Sequence, residues 1–333
     1  MDNSIKLSSS ELATLWTTYT NDCAAICMIT YFLQHIDDNA IKEVVNYSLN
    51  ISEQHTKKIK TLFNNEKVAI PKAFSVEEDV ILSAPRLYSD SFYLFYLHNM
   101  AKISANSYSL ALANAARSDV RQFYSQSLES SITLYNKTAD ILLEKGLYLR
   151  PPQIPMPEKV DFVKEHSFLT GWFGERRPLN AVEIMNLFFN IERNQLGKSL
   201  IIGFSQTSKT KEIIDYFLRG KEIARKHVEV FSSILNESEL PAPMTWDTLP
   251  TNSTTQVFSE KLMMFHITAL QGASISHYGT SMGTSLRRDI GLHYNRLLHE
   301  VLLYAEDGSN LLIKHGWLEQ PPQAPNRQVL VHK

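Results

Sequence analysis

The chain has 333 residues, of which 44% are hydrophobic and 20% are charged, a balance typical of a folded protein with about two domains. Its net charge of -2 offers no electrostatic attraction for nucleic acid, so we expect no nucleic-acid partner. Glycine is scarce and no apolar run is long enough for a membrane span, which together favour an all-α protein outside the membrane.

The first predicted helix begins at the capping box Ser8-x-x-Glu11 and carries an apolar stripe as far as Leu33. The same box recurs as Asn180-x-x-Glu183, where a second set of helices begins. Either glutamate could be a metal ligand. Because the spacing already explains both carboxylates as caps, capping is the favoured interpretation of Glu11 and Glu183.

Two cysteines, Cys23 and Cys27, lie four residues apart on the first helix. They could bind a soft metal, but no further cysteine exists, and the second copy has Gln195 and Ser199 at these positions. We therefore interpret both as small core residues. Residues 1–10 lack the basic start and apolar stretch of a secretory signal, which predicts a protein in the cytoplasm or in a structure assembled there.

A second helix is predicted from about Asn39 to a point before Pro71, with His55 on its apolar seam. After a long proline-containing connection, a third helix is predicted from about Tyr88 to Ala116. Two helix hairpins separated by one long crossover are the connectivity of ferritin-like bundles.

The fourth helix is predicted over residues 118–146, with a glycine as its C-terminal cap. Arg117 and Asp119 at its start, and Arg287 and Asp289 in the second copy, could bind an anion at a helix N-terminus. A turn with a surface ion pair is the favoured interpretation.

The four helices occur twice in the sequence. A shift of 172 residues aligns His55 with His227, and a shift of 170 aligns the third and fourth helices. The repeat predicts a four-helix bundle over 1–148, a linker over 149–179 and a second bundle over 180–333. The linker is expected to pack on the bundles because of its aromatic residues. These are Phe162, Phe168, Trp172 and Phe173.

The fourth helices end in Glu144-Lys145-Gly146-Leu147-Tyr148 and in Lys314-His315-Gly316-Trp317, each followed by prolines. These ends resemble the Coat F domain of spore coat proteins. The whole chain resembles a duplicated family of spore-forming bacilli, domain of unknown function 3231, which is grouped with ferritin-like folds. The resemblance implies two tandem ferritin-like bundles and a sporulation context, and it supplies no catalytic residues.

A ferritin-like di-metal site needs inward glutamates and two Glu-x-x-His pairs. His55 and His227 are inward histidines, but Ser52 and Ala224 stand where the glutamates of such pairs belong. The third helices also carry no acidic residue beyond their first turn. We therefore expect no metal or other cofactor, with a single metal ion on His55 or His227 as the alternative.

Both histidines could be ligands or proton-transfer groups, and a neutral core histidine bonded to an inward tyrosine is favoured. The candidate tyrosines are Tyr108, Tyr278, Tyr124 and Tyr294. Further histidines of the second copy have no histidine at the matching position and are interpreted as polar filler. They are His266, His277, His293 and His299.

No phosphate-binding loop, catalytic triad or zinc-binding spacing occurs. The sequence therefore favours a non-enzymatic structural or interaction protein, resembling spore-coat-associated proteins, that binds other proteins or itself. The alternative is a metal- or cofactor-binding ferritin-like protein with a role in stress or redox chemistry.

Overall fold

The computed structural model describes residues 5–171 and 176–328 and shows an all-α protein, as the sequence predicts. No helix in these two ranges is both long and apolar enough to span a membrane. The α-helices of the described residues are α1 (Ser9–Leu33), α2 (Asn39–Glu66), α3 (Val76–Asp79), α4 (Asp90–Ala113), α5 (Ser118–Glu144), α6 (Ala181–Thr207), α7 (Lys211–Glu237), α8 (Glu260–Thr284) and α9 (Arg288–Lys314).

The first helix of each copy starts at the predicted capping box. The Ser8 hydroxyl accepts a hydrogen bond from the Glu11 N–H at 3.2 Å, and the Glu11 carboxylate accepts one from the Ser8 N–H at 2.8 Å. Asn180 and Glu183 make the same exchange at the start of α6. Each box satisfies donors that the first turn of a helix leaves unpaired, which confirms both predicted starts.

The last helix of each copy ends at a glycine in the left-handed region. Gly146 follows α5 with a φ of +66°, and Gly316 follows α9 with a φ of +67°. The Leu147 N–H then donates to the Leu142 carbonyl at 2.8 Å, which closes the end of α5. Glycine takes this conformation without a steric penalty, so the predicted stop is confirmed.

The chain packs into two compact units, and neither is one continuous stretch of sequence. Unit 1 draws its described residues from 1–82, 97–140 and 316–333, and unit 2 from 83–96 and 141–315. The domain limits predicted above follow sequence similarity, whereas the units follow packing. Each unit therefore contains a short segment that belongs, by sequence, to the other copy.

In unit 1, α1 packs along α2. The C-terminal segment joins this unit through a hydrogen bond at 2.7 Å from the Ala73 N–H to Oε1 of Glu319. Much of the core between the helices is apolar, and burying these side chains stabilises the unit. Its buried side chains include Leu15, Cys27, Phe32, Ile59 and Phe63.

In unit 2, α6 packs on α7 and α8, and α9 packs on the same two helices. Each of these four helices thus has two neighbours around a shared core. Core residues from all four include Leu187, Phe188, Phe231, Tyr278, Tyr294 and Leu297.

A pair of tyrosines joins α7 to α9 in unit 2. The rings of Tyr216 and Tyr304 stack with centroids 4.3 Å apart, and each hydroxyl donates to the other residue's backbone carbonyl. Gly220 and Gly308 lie one turn further along, where a Cβ atom would overlap the opposite phenol. The two glycines therefore allow the close approach of the helices.

The start of α4 also belongs to unit 2. The Tyr88 hydroxyl donates to the Leu200 carbonyl of α6 at 2.7 Å. Further along the same segment, Oη of Tyr96 lies 3.0 Å from Nε2 of His266 on α8. Tyr96 and His266 are 170 residues apart and occupy the same position in the two copies. Equivalent positions of the two copies are therefore in direct contact within unit 2.

The linker aromatics do not pack as predicted. Phe162 is 78% exposed, and the side chains next to it in the sequence are exposed as well. Phe168 is half-buried, with the guanidinium of Arg177 4.1 Å from its ring centre. Trp172 and Phe173 lie outside the described residues. The prediction is therefore wrong for Phe162, and the contact shown for Phe168 is with Arg177 of the same linker.

Candidate functional site: two buried histidine networks

The inward histidine of α7 is fully buried in a polar network within unit 2. Nδ1 of His227 lies 2.8 Å from Oη of Tyr278, and Nε2 lies 3.0 Å from Oε2 of Glu300. Asn194 on α6 donates from Nδ2 to the same tyrosine oxygen at 2.7 Å. The predicted histidine–tyrosine contact is therefore present in the second copy.

The donors and acceptors of this network have one consistent order. Because the Asn194 amide donates to the Tyr278 oxygen, the phenol hydrogen points at Nδ1 of His227. Nε2 then carries the ring hydrogen and donates it to Glu300. Burial lowers the pKa of His227, although the Glu300 carboxylate acts in the opposite direction, so the ring is neutral at pH 7.

This order of donors and acceptors allows a proton path from the buried phenol of Tyr278 through His227 to the partly exposed carboxylate of Glu300. Burial, however, raises the pKa of Tyr278 well above its usual value, and the phenol stays protonated at neutral pH. Under these conditions the network acts as a set of fixed hydrogen bonds between α6, α7, α8 and α9.

The inward histidine of α2 is buried in unit 1 with different partners. Nδ1 of His55 lies 3.1 Å from Oδ2 of Asp22, and the Ser52 hydroxyl donates to Oδ1 of that aspartate at 2.8 Å. Oη of Tyr108 is 3.5 Å from the same ring nitrogen, at the limit of a hydrogen bond. A carboxylate only accepts, so Nδ1 of His55 carries a hydrogen and donates.

The other two candidate tyrosines do not bond the histidines. Oη of Tyr124 lies 3.4 Å from Oγ1 of Thr18, and the Asn190 amide donates to Oη of Tyr294 at 3.3 Å. Thr18 and Asn190 occupy the same position on the first helix of each copy. Tyr124 and Tyr294 therefore bind the first helices, one layer away from the histidines.

The two capping glutamates do more than capping. Oε1 of Glu11 also accepts from the Arg117 N–H at 2.8 Å, and Oε1 of Glu183 accepts from the Arg287 N–H at 3.0 Å. Arg177 adds two bonds to Glu183, both at 2.8 Å. Burial acts to raise the pKa of each carboxyl, but these hydrogen bonds outweigh it and the pKa is lowered.

The Arg–Asp pairs at the starts of α5 and α9 are present, and the arginine of each pair is buried. Arg117 binds Asp119 through two bonds, at 3.0 and 2.6 Å, and Arg287 binds Asp289 through two at 3.1 and 2.7 Å. Both guanidinium groups are buried, and Arg117 also reaches Glu66 of α2. The expected surface ion pair is therefore wrong for Arg287 and Asp289, which are both buried, whereas the Asp119 side chain is partly exposed.

Cys23 and Cys27 are buried free thiols, which confirms their interpretation as small core residues. Across residues 5–171 and 176–328, no three side chains of the His, Cys, Asp and Glu types gather as a metal site would require. Asp22 beside His55 and Glu300 beside His227 are each a single carboxylate next to a single histidine.

Two further histidines, His98 and His266, are buried, which the sequence did not predict. His266 bonds Tyr96, and Nδ1 of His98 lies 3.0 Å from Oγ1 of Thr138. Burial lowers the pKa of His266 to about 4 and that of His98, which also lies near Lys102, to about 3. The interpretation of His266 as polar filler is wrong. Its alignment with an aromatic residue in the other copy could have signalled a core position.

The described residues form an all-α protein in which one sequence pattern of four helices occurs twice. A family model described as "Protein of unknown function (DUF3231)" matches residues 1–160 and again 167–330. The chain therefore belongs to this family, and the double match confirms the internal duplication. No curated protein matches the chain.

Among solved structures, the chain is similar to a protein of Bacillus halodurans described as a "putative spore coat protein". The two are 16% identical, and the alignment covers 46% of this chain and 98% of the other. The TM-score is 0.40, a likeness too low to carry an argument about fold or function.

Proposed function

We propose that this chain is a non-enzymatic structural protein that self-associates as part of a spore layer. In this proposal its two halves are ferritin-like bundles whose metal positions have been replaced. The sporulation context rests on the resemblance of the fourth-helix ends to the Coat F domain. The observation that carries the self-association is a set of exposed apolar residues that recurs in both copies.

These residues lie on the last helix of each copy. Ile132 of α5 and Leu302 of α9 occupy the same repeat position, as do Leu143 and Ile313, and all four are exposed. On α9, Leu302 and Ile313 are eleven residues apart, about three helical turns, and share a face. Exposed apolar groups on one face of a helix favour protein contact, because contact removes their apolar surface from water.

The partner that this pattern fits is another copy of the same chain. Each chain offers the apolar positions twice, once on α5 and once on α9. A chain with two equivalent surfaces can bind two neighbours and extend an assembly, as a structural layer requires.

Sedimentation velocity over a range of concentrations tests this proposal. We expect the wild-type chain to form larger species as concentration rises. The double variant Ile132→Glu and Leu302→Glu should remain monomeric, because a buried carboxylate opposes apolar contact.

Met185→Glu is the matched control, since Met185 is an exposed apolar residue of α6 outside the repeated positions. It should self-associate as the wild type does. A wild-type chain that stays monomeric throughout the range, or a Met185→Glu chain that loses association equally, contradicts the proposal.

A second candidate is a single-metal protein, and one observation favours it. Nδ1 of His55 donates to Asp22, and no described residue bonds Nε2. A carboxylate that orients a histidine in this way leaves the other nitrogen available as a ligand.

Metal analysis of the purified protein separates the two candidates. The structural proposal predicts less than one equivalent of iron, manganese or zinc per chain. Stoichiometric metal that is lost in His55→Ala, and retained in a surface variant such as His299→Ala, would favour the single-metal candidate.

A further inference from the structure

In unit 2, two buried nitrogens of one cationic side chain find no hydrogen-bond partner among the described residues. Arg193 lies on α6 and is only 8% exposed. Its Nε and Nη1 atoms are buried and make no hydrogen bond. The other two buried arginines described above, Arg117 and Arg287, each bind an aspartate through two bonds.

The surroundings of Arg193 are aromatic and uncharged. The guanidinium carbon lies 5.6 Å from the ring centre of Phe189, one turn earlier on α6. His277 of α8 meets the same ring edge-on, with centroids 5.1 Å apart. The charge of Arg193 also acts on His277 and on Tyr278, and no carboxylate of the described residues forms an ion pair with it.

The guanidinium remains charged in this setting. Burial lowers the pKa of Arg193 to about 10, which leaves it protonated at neutral pH. Burial and the nearby arginine lower the pKa of His277 to about 4, so this imidazole is neutral and carries one N–H donor. A buried cation without a counter-charge is unfavourable, and an anion would relieve it.

The first copy contains none of these three side chains. Its matching residues are Thr17, Asn21 and Ser107, and all three are exposed. The charge and the aromatic wall are therefore particular to the second copy and are not required by the shared helix packing.

We propose that Arg193 and His277 form a binding site for a small oxyanion, a carboxylate or phosphate group, against the ring of Phe189. The planar guanidinium offers parallel donors that match two oxygens of such a group. The imidazole N–H supplies a further donor, and Phe189 forms an apolar wall. This site is separate from the proposed self-association through α5 and α9.

Thermal unfolding of the full chain tests the site with two probes, sodium phosphate and sodium acetate. Sodium chloride at the same ionic strength and pH is the reference, because it screens surface charges without offering paired oxygens. We expect at least one oxyanion to raise the unfolding midpoint by about 2–4 °C above the reference. The probe with the larger shift identifies the carboxylate or the phosphate group.

The variant Arg193→Met should lose this shift while folding normally in chloride, because it removes an unpaired buried charge and keeps the volume. Arg225→Met is the control, since Arg225 is an exposed arginine of α7 paired with Glu222 and Glu229. It should retain the full shift.

Isothermal titration of the wild type with the active probe gives a readout that does not depend on the variants folding. We expect one saturable site per chain, weakened at least about tenfold in His277→Ala. No shift with either oxyanion, or an equal shift in Arg193→Met, would overturn the proposal.

Discussion

At the level of single residues, the two inward histidines differ in their hydrogen-bond partners. One source of this difference lies at a matching position of the first helices. Asp22 and Asn194 occupy the same position in the two copies, and they differ by one oxygen in place of one NH₂ group. The carboxylate accepts from His55, whereas the amide donates to Tyr278 and turns the phenol toward His227. The two histidines therefore carry their hydrogens on opposite nitrogens.

Replacing the inward histidine tests how much the second network stabilises unit 2. We expect His227→Ala to lower the free energy of unfolding by roughly 1–3 kcal/mol, because Tyr278 and Glu300 each lose a partner. Chemical denaturation measures this difference. His299→Ala, at an exposed position of α9, serves as the control and should change the free energy little.

The buried neutral histidines predict a loss of stability in mild acid. His266 has a folded pKa of about 4 against an ordinary value of 6.5, so below that value the unfolded chain binds a proton that the folded chain does not. His98 behaves in the same way, with a folded pKa of about 3. Their stabilisation is present above about pH 6.5 and falls as the pH approaches 4, by up to about 1.4 kcal/mol per unit for each histidine.

Denaturation at several pH values between about 6.5 and 4.5 measures this slope, since the lowered pKa values of Glu11 and Glu183 place their effect at lower pH. His266→Gln should reduce the slope, because glutamine can still accept from Tyr96 and does not titrate. The surface variant His299→Gln should leave it unchanged, and an equal slope in both variants would contradict the assignment.

At the level of helices, the capping glutamates join parts of the chain that are far apart in sequence. Glu11 starts α1 and also holds the turn before α5 through the Arg117 N–H. Glu183 does the same for α6 and the turn before α9. One side chain thus fixes the start of the first helix and its position beside the last helix of the same copy.

This double role predicts unequal effects for the two members of one capping box. Ser8→Ala should cost about 1 kcal/mol, since it removes a single cap. Glu11→Ala should cost more, about 2–4 kcal/mol, because the buried N–H of Arg117 also loses its acceptor. Equal losses in chemical denaturation would show that Glu11 acts as a cap alone.

The helices could be predicted from the sequence because their signals are local. Capping boxes, a terminal glycine and an apolar stripe each occupy a few consecutive residues, and they gave the starts at Ser8 and Asn180 correctly. The acidic partners of the histidines could not be predicted in the same way, because Asp22 and Glu300 come from other helices with no fixed spacing. Burial of Arg117 depends likewise on Glu66, 51 residues away.

At the level of the whole molecule, each compact unit needs residues from both copies. Residues 83–96 belong to unit 2, where Tyr88 bonds Leu200, and residues 316–328 contribute Glu319 to unit 1. Expressed alone, residues 1–150 and 178–333 would therefore each lack part of a unit. We expect both fragments to unfold at a lower temperature than the full chain, or to be insoluble.

A full chain cut once within its linker is the control for this experiment. A protease site placed at the exposed Phe162 leaves every segment present, so the cut chain should melt close to the intact one. Two soluble fragments that each melt at the temperature of the intact protein would show that the copies fold independently.

The contact between Tyr96 and His266 joins two matching positions that hold different residues, which is possible because one chain encodes both copies. If the two copies were separate identical chains in a symmetric dimer, one gene would encode both. The same amino acid would then lie on both sides of this contact, and a mutation there would change both sides at once. In the fused chain, two codons specify the two sides, and each can mutate alone. A phenol can then face an imidazole, two different side chains that a symmetric dimer of one chain could not place at this contact. Any attempt to reduce this protein to a single self-pairing repeat must therefore redesign that position first.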